Sequence, residues 1–173
     1  MNAGAVNCML IPPPELIGGD DVSASPYISY PDSDRFVEAF SAEQACQVLS
    51  LRRHGGGAMH LPLSLYVHIP FCESLCYFCT KSKVVTRQHE HGKTYLQYLR
   101  RELELKLAQL GTGHAVSQLY LGGGSPTFLN NDELTGLMRL LQENFAFEAD
   151  AELHIEVDPR SMDAQRLAFL AEL

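Results

Sequence analysis

Three cysteines within eight residues, Cys72, Cys76 and Cys79 in the spacing C-x3-C-x2-C, constrain this chain more than any other feature. They follow directly on Tyr66-Val67-His68-Ile69-Pro70-Phe71, a run that reads as a strand. Thiolate is a soft ligand that suits iron–sulfur clusters and zinc. A structural zinc site wants four closed ligands, and His68 or His60 would have to supply the fourth. A four-iron cluster held by three cysteines instead leaves one iron free for another ligand. Free cysteine also behaves as a small apolar side chain, and two of the three could form a disulfide with one spare, although nothing suggests secretion. Spacing alone leaves these readings open.

The chain has 173 residues, enough for one domain with a real core. Its 46% hydrophobic and 20% charged content places it among globular proteins. A net charge of −8, with Arg52-Arg53 and Arg100-Arg101 scattered, leaves no electrostatic footprint for nucleic acid. No run approaches the ~18 apolar residues needed to span a membrane. Residues 3–11 are mildly apolar but lack a basic n-region, and Pro12-Pro13-Pro14 interrupts them, so no signal peptide is expected. Five cysteines without an export signal point to a reducing compartment, and a cytoplasmic location is expected, with Cys8 and Cys46 as ordinary thiols.

Along the chain, residues 1–24 are expected to be weakly structured, given Pro12-Pro13-Pro14 and Gly18-Gly19-Asp20-Asp21. Ser25-Pro26-Tyr27-Ile28-Ser29-Tyr30-Pro31 reads as extended, residues 36–51 as a helix, and 54–58 as a flexible linker. From Leu61 the pattern becomes regular. Leu63, Leu65, Val67 and Ile69 alternate with Ser64, Tyr66 and His68, the period of a strand. Leu96, Leu99, Leu103, Leu107 and Leu110 fall on one helix face, which Gly111 and Gly113 end. Residues 116–121 form a second strand, closed by Gly122-Gly123-Gly124-Ser125-Pro126. Asn130 and Glu133 stand at capping-box spacing before a helix whose buried stripe is Leu134, Leu137, Met138 and Leu141. A third strand alternates Leu153, Ile155 and Val157 with Glu152, His154 and Glu156, and stops at Asp158-Pro159. Ser161 can cap a last helix.

Strands alternating with helices of this length predict an α/β fold of parallel β/α units. In such a sheet the loops leaving the strand C-termini gather on one edge, where ligands bind. Here these are the cysteine loop, the triple glycine and Glu156-Val157-Asp158-Pro159. The apolar strand faces should meet the helices, leaving Tyr66, His68, His154 and Glu156 on the opposite, inner face. Three glycines in a row let a ligand approach backbone closely, although the run lacks the lysine of a P-loop and does not fit G-x-G-x-x-G.

With these stretches in hand the chain resembles the radical S-adenosylmethionine enzymes, and within them the oxygen-independent coproporphyrinogen III oxidases. The resemblance rests on residues 62–72, on Lys83-Val84-Val85-Thr86-Arg87-Gln88 and Ser117-Gln118-Leu119-Tyr120, on residues 122–127, and on Ile155-Glu156-Val157-Asp158-Pro159-Arg160. Tyr27-Ile28-Ser29-Tyr30-Pro31 matches more loosely. The likeness covers about residues 25 to 173. It implies the first three β/α units of a parallel partial barrel, preceded by an irregular or helical N-terminal segment. It implies a [4Fe–4S] cluster on Cys72, Cys76 and Cys79, whose open iron is chelated by the amino and carboxylate groups of S-adenosylmethionine. Tyr66, Gly123 and Glu156 match positions that hold this first S-adenosylmethionine; Phe78, Gly124 and Ser125 match positions that touch a second. The implied reaction converts two propionates of coproporphyrinogen III to vinyls with loss of carbon dioxide, giving protoporphyrinogen IX in haem biosynthesis. An electron donor of unknown identity and a monomeric full-length enzyme are part of that expectation. No catalytic side chain is singled out.

The chain departs from the family in places. Thr80 and Lys81 stand where the family usually has Gly-x with a fourth, non-ligand cysteine, and Pro26 and Ile28 replace the usual arginine and threonine. A full β/α barrel takes roughly 200 residues or more, so the chain is expected to be an N-terminal portion with little or no activity alone. Its expected segments are 1–24 as extension, 25–60 as family segment and linker, and 61–173 as core. Two other readings compete: a haem chaperone-like radical S-adenosylmethionine protein, and a non-enzymatic zinc- or cluster-binding module.

Overall fold

Apolar alternation and helical stripes assemble here as the sequence leads one to expect, in a computed structural model that describes residues 41–53, 61–77, 79 and 81–173. In chain order the elements are α1 (Ala42–Arg53), β1 (Leu63–Ile69), β2 (Phe71–Cys72), β3 (Val84–Val85), α2 (Glu90–Leu110) and β4 (His114–Gly123). There follow a 3-10 turn (Pro126–Phe128), α3 (Asn131–Asn144), β5 (Phe145–Ile155), a second 3-10 turn (Pro159–Ser161) and α4 (Ala164–Glu172). Expectations for residues 1–40 and for the linker at 54–58 lie outside the described residues, as do His60, Phe78 and Thr80. The expected helix over 36–51 is found as α1. Ser41 accepts from the Gln44 backbone N–H while the Gln44 side chain accepts from the Ser41 N–H, a reciprocal cap that starts the helix at Ala42.

β1, β4 and β5 form one parallel sheet in the order β1-β4-β5. Parallel neighbours need a crossover connection, and α2 and α3 supply it. One face of the sheet packs on these helices. Val67, Ile69, Val116, Leu119 and Leu121 are buried there against Leu134, Leu137, Met138 and Leu141 of α3 and the connecting Leu129. The α2 stripe of Leu96, Leu99, Leu103 and Leu107 is only half-buried over the same core, which ends at the buried Leu110. Gly111, at φ 89°, closes α2, its N–H donating to Leu107 O. Asn130 and Glu133 make the expected capping box of α3.

Several boundaries differ from expectation, and among them β4 begins at His114 rather than Val116 and β5 ends at Ile155 before Val157. β4 continues through Gly122 and Gly123, because β1 supplies register partners as far as Ile69 opposite Gly123. β5 begins at Phe145, well before the expected alternation that opens at Glu152. Its pairing with β4 breaks after Phe147 and resumes at Glu152, so residues 148–151 bulge out of the ladder. Finally, Ser161 does not cap α4. Its hydroxyl donates to Asp158 O within the second 3-10 turn, and Asp163 caps the helix by accepting from the Arg166 N–H. Among the described residues no helix is long and apolar enough to cross a membrane.

Candidate cofactor centre

The three loops at the strand C-termini are tied together by backbone hydrogen bonds. Gly124 N donates to Ile69 O at 2.8 Å and Ser125 N to Phe71 O at 2.8 Å, so the glycine run lies directly against the start of the cysteine loop. Glu156 N donates to Leu121 O at 2.9 Å and brings the third loop to the same edge. The cysteine loop is pinned at its base by Phe71, which is buried edge-on to Tyr95 (5.5 Å) and beside Phe128 (5.0 Å). It returns through the unexpected β2–β3 pairing, with Thr86 N donating to Cys72 O at 2.9 Å. Cys79 N donates to Cys76 O at 3.2 Å, turning the loop so that Cys72, Cys76 and Cys79 are all free and half-buried.

The glycines are required by this packing. A Cβ on Gly124 would stand 2.7 Å from Phe71 O and 2.8 Å from Cys72 Sγ. Gly123 has φ +112°, and a Cβ there would stand 2.9 Å from the His68 ring and from Ile69 O. Backbone oxygen cannot move aside as a side chain can, so the run is what lets the thiol loop dock.

Burial pushes the Cys72 thiol above its usual pKa, and the neighbouring Cys79 and Cys76 push it the same way, as does Asp158, against a lowering by Lys83. A half-buried thiol that resists ionising beside two others suits a bound cation that draws its proton off. Among the described residues no three His, Cys, Asp or Glu side chains converge on one ion-sized point. A cluster does not ask for that, since each thiolate takes a different iron. His68 is not free to complete a zinc site. Its Nε2 lies 3.0 Å from Ser82 O, which can only accept, so Nε2 carries the proton and Nδ1 accepts from Tyr66 OH at 3.2 Å. The second candidate for that zinc ligand, His60, lies outside the described residues.

On the face away from the helices, cross-strand rows lead up to the cysteine edge. Ser64 donates to Gln118 (2.9 Å), and Gln118 to Glu152 (3.3 Å). In the next row Tyr66 stacks on Tyr120 at 5.8 Å, and Tyr120 lies 5.9 Å from His154. Glu156 stands above them. Its Oε1 accepts from Tyr120 OH (2.9 Å) and Lys81 Nζ (2.5 Å), and its Oε2 from the Gly123 N–H (3.2 Å). The hydrogen bond to Glu156 raises both the Tyr120 and the Lys81 pKa. Two residues on, Asp158 is held below the usual carboxylate range by its hydrogen bonds from Arg160. Arg160 Nη2 also lies 3.6 Å from Cys76 Sγ.

Tyr66, Gly123 and Glu156 are thus brought together, and Gly124 and Ser125 lie beside Cys72 and Phe71; Phe78 is outside the described residues. Ser125 lines a cleft of about 170 Å³ with Glu73, Asp158 and Arg160. A larger, mostly apolar cavity of about 410 Å³ lies between the sheet and the α2 leucines, and no cysteine lines it. Sequence reading assigned no role to Tyr120, Lys81 or Arg160. Tyr120 had a findable signal, since it keeps the polar phase of its strand; Lys81 and Arg160 had none beyond their place in the loops.

A parallel β/α sheet carrying a thiol loop on a glycine edge is the architecture of a radical SAM protein. The solved coproporphyrinogen III oxidase (HemN) from Escherichia coli, described as a radical SAM enzyme, superposes with a TM-score of 0.72 at 44% identity, over 85% of this chain and 32% of that one. An oxygen-independent coproporphyrinogen III oxidase of Mannheimia haemolytica is 42% identical over 133 residues, 77% of this chain and 86% of the relative. The chain belongs to the oxygen-independent coproporphyrinogen III oxidase family. The namesake from Escherichia coli strain K12 is 45% identical over 155 residues, and the chain spans about a third (32%) of its length. No protein-family model matches the chain.

Proposed function

We propose that this chain carries the cluster- and cofactor-binding part of an anaerobic coproporphyrinogen III decarboxylation that yields protoporphyrinogen IX. The observation that supports it best is the docking of the Cys72 loop on Gly124 with Glu156 at the same edge. In this reading Cys72, Cys76 and Cys79 hold a [4Fe–4S] cluster, and low-dielectric packing on Phe71 tunes it. When bound, the cluster and S-adenosylmethionine supply one-electron chemistry that oxidises a substrate propionate.

The chain's own residues do the placing. Tyr66, Gly123 and Glu156 receive the first S-adenosylmethionine, with the stacked Tyr66–Tyr120 pair as an aromatic floor and the Glu156 carboxylate as its acceptor. Ser125 borders a second molecule at the cleft beside Arg160, and roles for Gly124 and Phe78 toward that molecule belong to the same proposal. Arg160 keeps a positive charge near the Cys76 sulfur while Asp158 fixes its direction. The segments 1–24 and 25–60 as N-terminal parts, 61–173 as core, a cytoplasmic setting, a separate electron donor and a monomeric whole enzyme belong to the same proposal.

Anaerobic reconstitution of the chain with iron and sulfide, followed by electron paramagnetic resonance with and without S-adenosylmethionine, tests it. A four-iron signal that shifts on addition is expected. Colourless protein with stoichiometric zinc, or a cluster indifferent to the cofactor, would overturn it.

A further inference from the structure

Among the described residues Glu156 is the one carboxylate that hydrogen-bonds to the glycine run, and three donors already occupy it. Two of them are fixed by the sheet: Tyr120 belongs to β4, and the Gly123 N–H is backbone at its end. The third is not. Lys81 Nζ reaches Glu156 Oε1 at 2.5 Å from a loop 75 residues earlier in the chain, with its side chain 47% exposed and that of Glu156 27% exposed. A carboxylate offers about four lone-pair sites, so an incoming cation finds little of Glu156 unclaimed.

We infer that Lys81 is a tethered cation that holds the Glu156 carboxylate until the cationic ligand displaces it, and so sets how tightly this edge takes its cofactor. The inference rests on the cofactor reading proposed above. S-adenosylmethionine carries a sulfonium, and its α-amino group keeps N–H donors when its lone pair is on the open iron. Glu156 attracts the sulfonium and can accept from those N–H groups, whereas the Lys81 ammonium repels the sulfonium, so Lys81 competes for the acceptor and opposes the ligand's charge. Leaving is easy for Lys81. Its long, flexible stem needs only rotamer changes, and the loop does not depend on its head group. Lys83 Nζ braces that loop instead, donating to Cys79 O and Lys81 O, each at 3.2 Å. The ion pair therefore joins the thiol loop to the third strand loop, and ligand binding would part them.

The test is anaerobic calorimetric titration of S-adenosylmethionine into the reconstituted 173-residue chain, comparing wild type with Lys81→Met, Lys81→Gln and Lys81→Arg. Circular dichroism and iron content, recorded first, confirm that each variant folds and loads alike. Loss of the competing charge in Lys81→Met and Lys81→Gln should tighten binding about two- to ten-fold, the scale of a partly exposed ion pair. Lys81→Arg, which keeps a cation, should stay near wild type. Binding by Lys81→Met where wild type shows none would be the strongest support. If wild type binds and the neutral variants bind equally or more weakly, Lys81 is a bystander or itself holds the ligand. The inference then fails while the cofactor reading stands. If neither wild type nor Lys81→Met binds, the cofactor reading fails and takes the inference with it.

Discussion

The two faces of the sheet are made by the same three strands and behave as different materials. Toward the helices, Val67, Ile69, Val116, Leu119 and Leu121 are at most 8% exposed and belong to one apolar cluster. Away from them, Ser64, Tyr66, Gln118, Tyr120, Glu152 and His154 pair across the strands through hydrogen bonds and stacked rings, and several remain open to solvent. A sheet with helical crossovers on one side fills that face with packing alone. Its other face is then free to hold polar side chains, and the Glu156 carboxylate stands at the end that meets the glycine run. Stability should reside on the first face and ligand affinity on the second.

The largest effect that would sharpen this contrast is in the core. Leu134, fully buried between α3 and the sheet, should lose about 2–5 kcal/mol of stability as Leu134→Ala. On the other face Ser64→Ala should change stability by less than about 0.5 kcal/mol. Urea denaturation of both variants checks the pair, and comparable losses would break the contrast.

Next comes Gly124→Ala. Its new Cβ would meet Phe71 O at 2.7 Å and Cys72 Sγ at 2.8 Å, so the thiol loop should lift and reconstituted iron should fall to near background. Gly136→Ala is the control: a Cβ there meets nothing within 4 Å, and the helix should gain up to about 1 kcal/mol. Iron content and melting temperature read the two apart.

Tyr120→Phe removes one donor from Glu156 but keeps the ring on Tyr66. The expected loss is about 0.5 kcal/mol, the low end for a hydrogen bond because the site is open to water. Loss of S-adenosylmethionine affinity should accompany it, by calorimetry. The smallest effect concerns Asp158, whose pKa is depressed by Arg160. Stability from a depressed carboxylate is fully present above its unfolded pKa and is lost as pH falls through the folded one. Asp158→Asn should therefore be slightly less stable than wild type at neutral pH, and the two should converge in acid. A gap that widened on acidification would refute the assignment.

What was legible beforehand was local. The Asn130–Glu133 cap, the leucine stripes and the alternation of residues 63–69 each need only a few neighbouring residues, and each formed as expected. The start of β5 was missed because Glu148 and Asp150 break the apolar alternation, and they sit in a bulge that only the pairing with β4 defines. Gly122 and Gly123 read as a turn because glycine has little strand preference of its own; β1 alongside keeps them in the ladder. Ser161 and Asp163 are both competent caps, and the turn begun at Asp158 decides between them. Lys81 with Glu156 and Arg160 with Cys76 join residues 75 and 84 positions apart, and no local pattern announces such contacts.

The most direct test of a two-part centre, thiols for the cluster and the polar face for its cofactor, is Glu156→Gln in the reconstituted chain. Iron content and the electron paramagnetic resonance signal without cofactor should match wild type, and the shift on adding S-adenosylmethionine should be lost or greatly weakened. A shift that persists unchanged, or a variant that no longer holds iron, would contradict that division.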